Sequence, residues 1–103
     1  MFKTDKYKIR FQRKTNLRLK KYQGFDTYCY IYYLGSEDKP SVIGVAWLNP
    51  KDRYDKLKGK KIALVRALKN FRIDKYERTI IWKAFWKWVE SWQIPKIIIQ
   101  EVE

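Results

Sequence analysis

The chain has 103 residues, with 24 lysines and arginines against 11 aspartates and glutamates, a net charge of +13. That length suits one domain, and a content 46% hydrophobic and 17% aromatic suits a packed core and argues against disorder. A single cysteine, Cys29, and no histidine exclude an internal disulfide, a zinc site and a Cys/His pair.

Tyr7, Ile9 and Phe11 alternate with Lys8, Arg10 and Gln12, a period of two that predicts a half-buried strand. A basic connection runs from Arg13 to Gly24; its Leu17, Leu19 and Tyr22 extend the first strand or begin another. Asp26 to Leu34 is dense in aromatic and β-branched residues, which fit a pleated surface, and reads as a central strand. Gly35 to Pro40 is a turn by composition. Ser41 to Leu48 is a third strand, with Gly44 and Ala46 on one face and Val45 and Trp47 on the other. Small residues on one strand face mark the close approach of a packed element.

Asn49 as N-cap and Pro50 at the first helical position predict a short helical turn. The spacing of Leu57, Leu64, Val65, Leu68 and Phe71 predicts a helix over 57–71 with one apolar face. Asp74 followed by Glu77 is a capping-box pattern. It opens a second helix running to about Trp92, with Ile81, Phe85, Trp88 and Trp92 as its core stripe and Ala84 and Val89 beside them. Pro95 stops it, and Lys96 to Val102 reads as a last strand. The order is β-β-β-α-α-β: a small antiparallel sheet with two helices packed on one face, an α+β fold in one domain, 1–103.

Charge supplies the first functional candidates. Residues 1–22 hold nine lysines and arginines against Asp5 alone. Lys14, Arg18, Lys20 and Lys21 there are candidate phosphate contacts, whose affinity would fall steeply with salt. Edge-strand lysines that block aggregation account for the same residues. The segment 51–61 adds six basic residues. Lys58, Lys60 and Lys61 flank Gly59 at a helix start, where backbone N–H groups and lysines together hold phosphate. Arg66 extends that set along the helix. Trp82 and Trp86 stand off the core stripe beside Lys83 and Lys87. With Tyr54 they are candidate partner anchors, suited to base stacking, a protein hot spot or a membrane interface. A second core face or a dimer contact explains the same tryptophans.

Catalysis is not expected: histidine and a nucleotide-binding glycine loop are both missing from the sequence. A metal-dependent nuclease built on Asp52, Asp55, Glu37 and Lys39 is a minor reading, and no cofactor or metal is implied. Cys29, within a strand, is expected to be packed rather than reactive.

Gly44 to Leu68, through Gly44, Ala46, Pro50, Asp52, Tyr54, Gly59, Ala63, Arg66, Ala67 and Leu68, resembles a pattern found in short, mostly uncharacterised phage-encoded proteins. The resemblance covers about a quarter of the chain and implies a phage or mobile-element origin. Proteins of that origin are often nucleic-acid binders or inhibitors of host machinery, CRISPR effectors included. Lys60-Lys61 with Ala63, Ala67 and Leu68, after a three-stranded segment, is similar to the end of double-stranded RNA-binding domains. Lysines so placed there touch phosphates across a groove. The first helix and histidine-containing loop of that domain are missing here, and an insertion precedes Lys60. The leading expectation is thus a non-catalytic nucleic-acid-binding protein, for DNA or RNA. The second is a protein inhibitor of a host or defence factor, anti-CRISPR-like, with homo-oligomers allowed in either case. Adsorption to anionic membranes through the tryptophan helix is a third. No stretch approaches the roughly 18 apolar residues of a membrane span. Met1 to Asp5 lacks an apolar signal region, so the expected location is the cytoplasm, that of the host if the protein is phage-encoded.

Overall fold

The computed structural model describes residues 1–15, 24–49 and 53–92. Its elements are strands β1 (Phe2–Lys3), β2 (Tyr7–Thr15), β3 (Phe25–Tyr33) and β4 (Val42–Ala46), then helices α1 (Lys56–Asn70) and α2 (Lys75–Ser91). The strands form one sheet in chain order, each antiparallel to the next. The α+β architecture expected from the sequence is therefore present. Two details differ: a short N-terminal strand precedes the expected first one, and that strand runs on through Arg13, Lys14 and Thr15. The last expected strand, Lys96 to Val102, lies outside the described residues, as do residues 16–23 and 50–52.

The register assigns every strand residue to a face. Phe11 pairs with Cys29 and Cys29 with Gly44; Ile9 pairs with Ile31 and Ile31 with Val42. These residues share one face, and both helices lie on it. Phe85 and Trp88 of α2 pack their rings on Phe2 and Phe11, while Ala63, Leu64, Ala67 and Leu68 of α1 join the same buried cluster. Side chains alternate along a strand, so the partners in the other parity point away from the helices. These are Lys8 with Tyr32, Arg10 with Tyr30 and Ile43, Gln12 with Tyr28 and Val45, and Lys14 with Asp26.

Gly44 sets the distance between α1 and the sheet. A Cβ there would fall inside the contact distance of the Ala63 carbonyl oxygen and the Ala67 amide nitrogen. Helix backbone therefore rests directly on strand backbone, as the small residues of this strand led us to expect. Gly59 repeats the device one strand inward, where a Cβ would stand 2.7 Å from Thr27 Oγ1. The helical stripe consequently differs from the one expected. Ala63, Ala67 and Lys60 face the sheet, and Val65 is exposed.

Both helix starts use an aspartate N-cap. Asp55 Oδ1 accepts from the Lys58 amide at 3.1 Å, and Asp74 Oδ1 from the Glu77 amide at 2.8 Å. Glu77 completes a different contact from the one the capping pattern implies: its carboxylate accepts from the Tyr7 hydroxyl at 2.9 Å and Lys6 Nζ at 2.8 Å. These bonds pull its pKa below the ordinary carboxylate range and tie the start of α2 to the start of β2.

Gly44→Ala is predicted to destabilise the fold by about 1–3 kcal/mol, the usual cost of overpacking. Gly35→Ala, with open space around its Cβ position, meets no such contact and carries only the left-handed backbone cost. Urea denaturation of the two variants checks the difference.

Candidate nucleic-acid interface

On the face away from the helices, β3 presents Tyr28 and Tyr30, with Tyr32 in the same parity, and the adjacent row of β2 presents Lys8, Arg10, Gln12 and Lys14. Among the described residues, no helix or strand covers this face. Alternation and antiparallel pairing create it: a cationic row and an aromatic row lie side by side on adjacent strands.

The two rows interact. Lys14 Nζ stands 4.3 Å from the Tyr28 ring centroid, and the Arg10 guanidinium carbon 5.3 Å from that of Tyr30. Both distances lie within reach of cation–π attraction. The Tyr28 and Tyr30 rings are near parallel, 17° apart with centroids separated by 6.2 Å. The Tyr30 hydroxyl donates to Gln12 Oε1 at 3.0 Å, fixing one ring edge. Trp47 follows β4 in the same parity as Val45, meets Tyr28 edge-on at 6.1 Å and is 53% exposed. Ile43 is 45% exposed on the same surface, while Tyr32 is buried. Lys8 lies 3.8 Å from Glu37 of the β3–β4 turn. At the outer edge of β4, Arg66 Nη1 donates to the Val45 carbonyl at 2.7 Å. Arg66, Lys69 and Asn70 line a groove there that runs into Ile43, Val45 and Trp47.

The residues expected from the sequence are thus divided. Lys14 belongs to this face and Arg66 borders it. Arg18, Lys20 and Lys21 lie outside the described residues. Lys58 and Lys61 are exposed on α1, on the helical side of the sheet.

Lys60 requires a correction. It is only 6% exposed and points into the junction of the sheet and the helices. Its ammonium lies 5.9 Å from the Phe11 centroid and 5.5 Å from that of Trp92, so it is not a surface phosphate contact. Nor do the amides around Gly59 form a phosphate cradle: the Gly59 amide donates to the Asp55 carbonyl and the Lys58 amide to the Asp55 carboxylate. Gly59 serves packing on Thr27 instead.

The aromatic candidates also separate. Trp82 is half-buried and packs edge-on against Phe85 in the core. Trp86 is 41% exposed, with Lys61 Nζ 5.4 Å from its ring centroid. Tyr54 is half-buried against Gly24 and Phe25, and its hydroxyl oxygen is buried without a hydrogen-bond partner among the described residues. The cleft beside it is lined by Phe25, Thr27, Trp47 and Lys58, with about 60 Å³ open to water. Lys8 and Arg10 belong to the basic stretch 1–22 singled out from the sequence, whereas Tyr28 and Tyr30 were not among the sequence candidates. Their signal was present as tyrosine at every second position opposite a basic alternating strand.

Cys29 is fully buried, and desolvation raises its thiol pKa. No described helix is long and apolar enough to cross a membrane. Compared with protein-family models, curated proteins and solved structures, the chain matches none.

Burial of Lys60, reinforced by Lys56 and Arg13 nearby, lowers its pKa to about 8. The unfolded chain keeps the ordinary lysine value near 10.4. Between these two values the unfolded state holds the extra proton, so stability rises with pH across that window. At pH 7 the charged form costs up to about 3 kcal/mol. Lys60→Met is predicted to be more stable than wild type at pH 7 and to lose most of that advantage by pH 10.5. Urea midpoints at the two pH values check this.

Proposed function

We propose that this is a non-catalytic nucleic-acid-binding protein that meets its ligand on the helix-free face of the sheet. The observation that carries the reading is the side-by-side placement of Lys8, Arg10 and Lys14 with Tyr28, Tyr30 and Trp47. Cations neutralise phosphates and release counterions, and aromatic rings offer surfaces to bases. The net charge of +13 draws polyanions to the whole molecule, and Arg66 and Lys69 continue the basic lining past the edge of β4. The resemblance of residues 44–68 to short phage-encoded proteins is compatible with this role, and we propose a phage or mobile-element origin on that basis.

The second reading, a protein inhibitor of a host or defence factor, is favoured by a different surface. Trp86, Lys61 and Val65, one turn along from Lys61, stand exposed on the outer side of the helices, where an aromatic anchor beside a cation suits a protein hot spot.

Replacing Lys8, Arg10 and Lys14 together by glutamine is expected to weaken oligonucleotide binding. It is also expected to make the dependence of log affinity on log salt shallower by about two to three, given a slope near 0.7–0.9 per phosphate contact. Fluorescence anisotropy across a salt series reads both. Wild-type binding by this triple variant, with binding lost in Lys58→Gln/Lys61→Gln, would move the interface to the helical side.

A further inference from the structure

Resting on that reading, the geometry of the face points to a more particular ligand. We propose that it binds single-stranded nucleic acid, with unstacked bases laid on Tyr28, Tyr30 and Trp47 and the phosphate chain following the basic row of β2.

The first argument is spacing. Tyr28 and Tyr30 form a row along β3 with ring centroids 6.2 Å apart, and Trp47, from the end of the neighbouring strand, lies edge-on to Tyr28 at 6.1 Å. Bases along one strand of a duplex are only 3.4 Å apart. A row with nearly twice that step engages bases only after they leave their own stack, and a single strand supplies them at no pairing cost. In a duplex the base faces are covered by their neighbours and only the edges reach the grooves. Ring surfaces presented to a duplex would meet nothing that they can stack on.

The second argument is what now occupies the rings. Lys14 lies over Tyr28 and Arg10 over Tyr30, on long, flexible stems. A base arriving on a ring displaces its cation, which swings to the phosphate beside that base. The nucleotides on Tyr28 and Tyr30 thereby each exchange one exposed cation–π contact for a stacked base and a charge-assisted phosphate contact.

The third is hydrogen bonding. Gln12 stands between the two cations on β2 and accepts from Tyr30; its amide N–H groups supply donors to base edges. Stacking on aromatic rings is the same for bases on ribose and on deoxyribose, so the shared chemistry is that of an unpaired strand, DNA or RNA.

The test is anisotropy at fixed salt. The probes are a labelled mixed-sequence single-stranded DNA, its RNA counterpart and the two corresponding duplexes, with the full chain and its Tyr30→Ala, Tyr30→Phe and Trp47→Ala variants. Wild type is expected to favour at least one single strand over both duplexes by ten-fold or more. Tyr30→Ala and Trp47→Ala are each expected to lose five-fold or more on that strand, the usual range for a stacked base. Tyr30→Phe, which keeps the ring, stays within about two-fold. Trp47 is exposed, so its variant tests the stack even if Tyr30→Ala unfolds, which circular dichroism reveals. A single-strand preference confined to RNA assigns an additional 2′-hydroxyl contact and still supports the stack. Duplex binding as tight as single-strand binding, or unchanged affinity in both alanine variants, overturns the inference while leaving nucleic-acid binding in place. Failure of wild type to bind any of the four probes overturns the broader reading.

Discussion

The contact between α1 and β4 at Gly44 organises the molecule. Because the helix backbone at Ala63 and Ala67 touches the strand backbone, α1 is held flat on one side of the sheet. Leu64 and Leu68 then reach the core with Cys29 and Ile31. Glu77 anchors α2 on the same side through Tyr7 and Lys6. With both helices on one face, no described helix or strand covers the other, which carries charge that a buried surface would not tolerate. Arg10, Lys14 and Trp47 there are exposed to water.

Placing charge on that face has a counterpart inside. Lys60 occupies a sheet-facing position of α1 under Phe11 and Trp92, where a hydrocarbon side chain would pack without desolvating an ammonium. Its lowered pKa follows from burial and from the neighbouring Lys56 and Arg13. The molecule therefore carries strain of one sign on both sides of the sheet. Arg10 and Lys14 on the open side lie over tyrosine rings, while the buried Lys60 meets the rings of Phe11 and Trp92 and gives up its proton more readily.

Much of the fold was legible in the sequence because it is written in short-range patterns. Alternation in Tyr7 to Gln12 marked a strand; Gly44 and Ala46 marked a packed face; Asp74 marked a helix start. Residues whose placement depends on partners were harder to read. Phe2–Lys3 is too short to show a period. Val65 looked apolar enough for the core, yet Ala63 and Ala67 occupy the contact because only small side chains permit it. Lys60 shares the helical phase of Leu64, Ala67 and Leu68, but lysine by type reads as solvent-facing. The open face was hidden for a related reason. The segment around Tyr28, Tyr30 and Tyr32 reads as a central strand, and its two faces are told apart only when pairing shows which residues lie opposite Arg10 and Gln12 and which side the helices take. Lys14 was identified by charge alone; its place beside Tyr28 needed the register.

The most direct measurement of the central claim is a side-chain and amide NMR titration of the whole chain with a short single-stranded oligonucleotide. The account predicts that resonances of Tyr28, Tyr30, Trp47, Arg10 and Lys14 shift first and together, while those of Trp86, Lys61 and Val65 stay in place. Shifts concentrated on Trp86, Lys61 and Val65, with the tyrosine row unmoved, would contradict it and make the helical side the working surface.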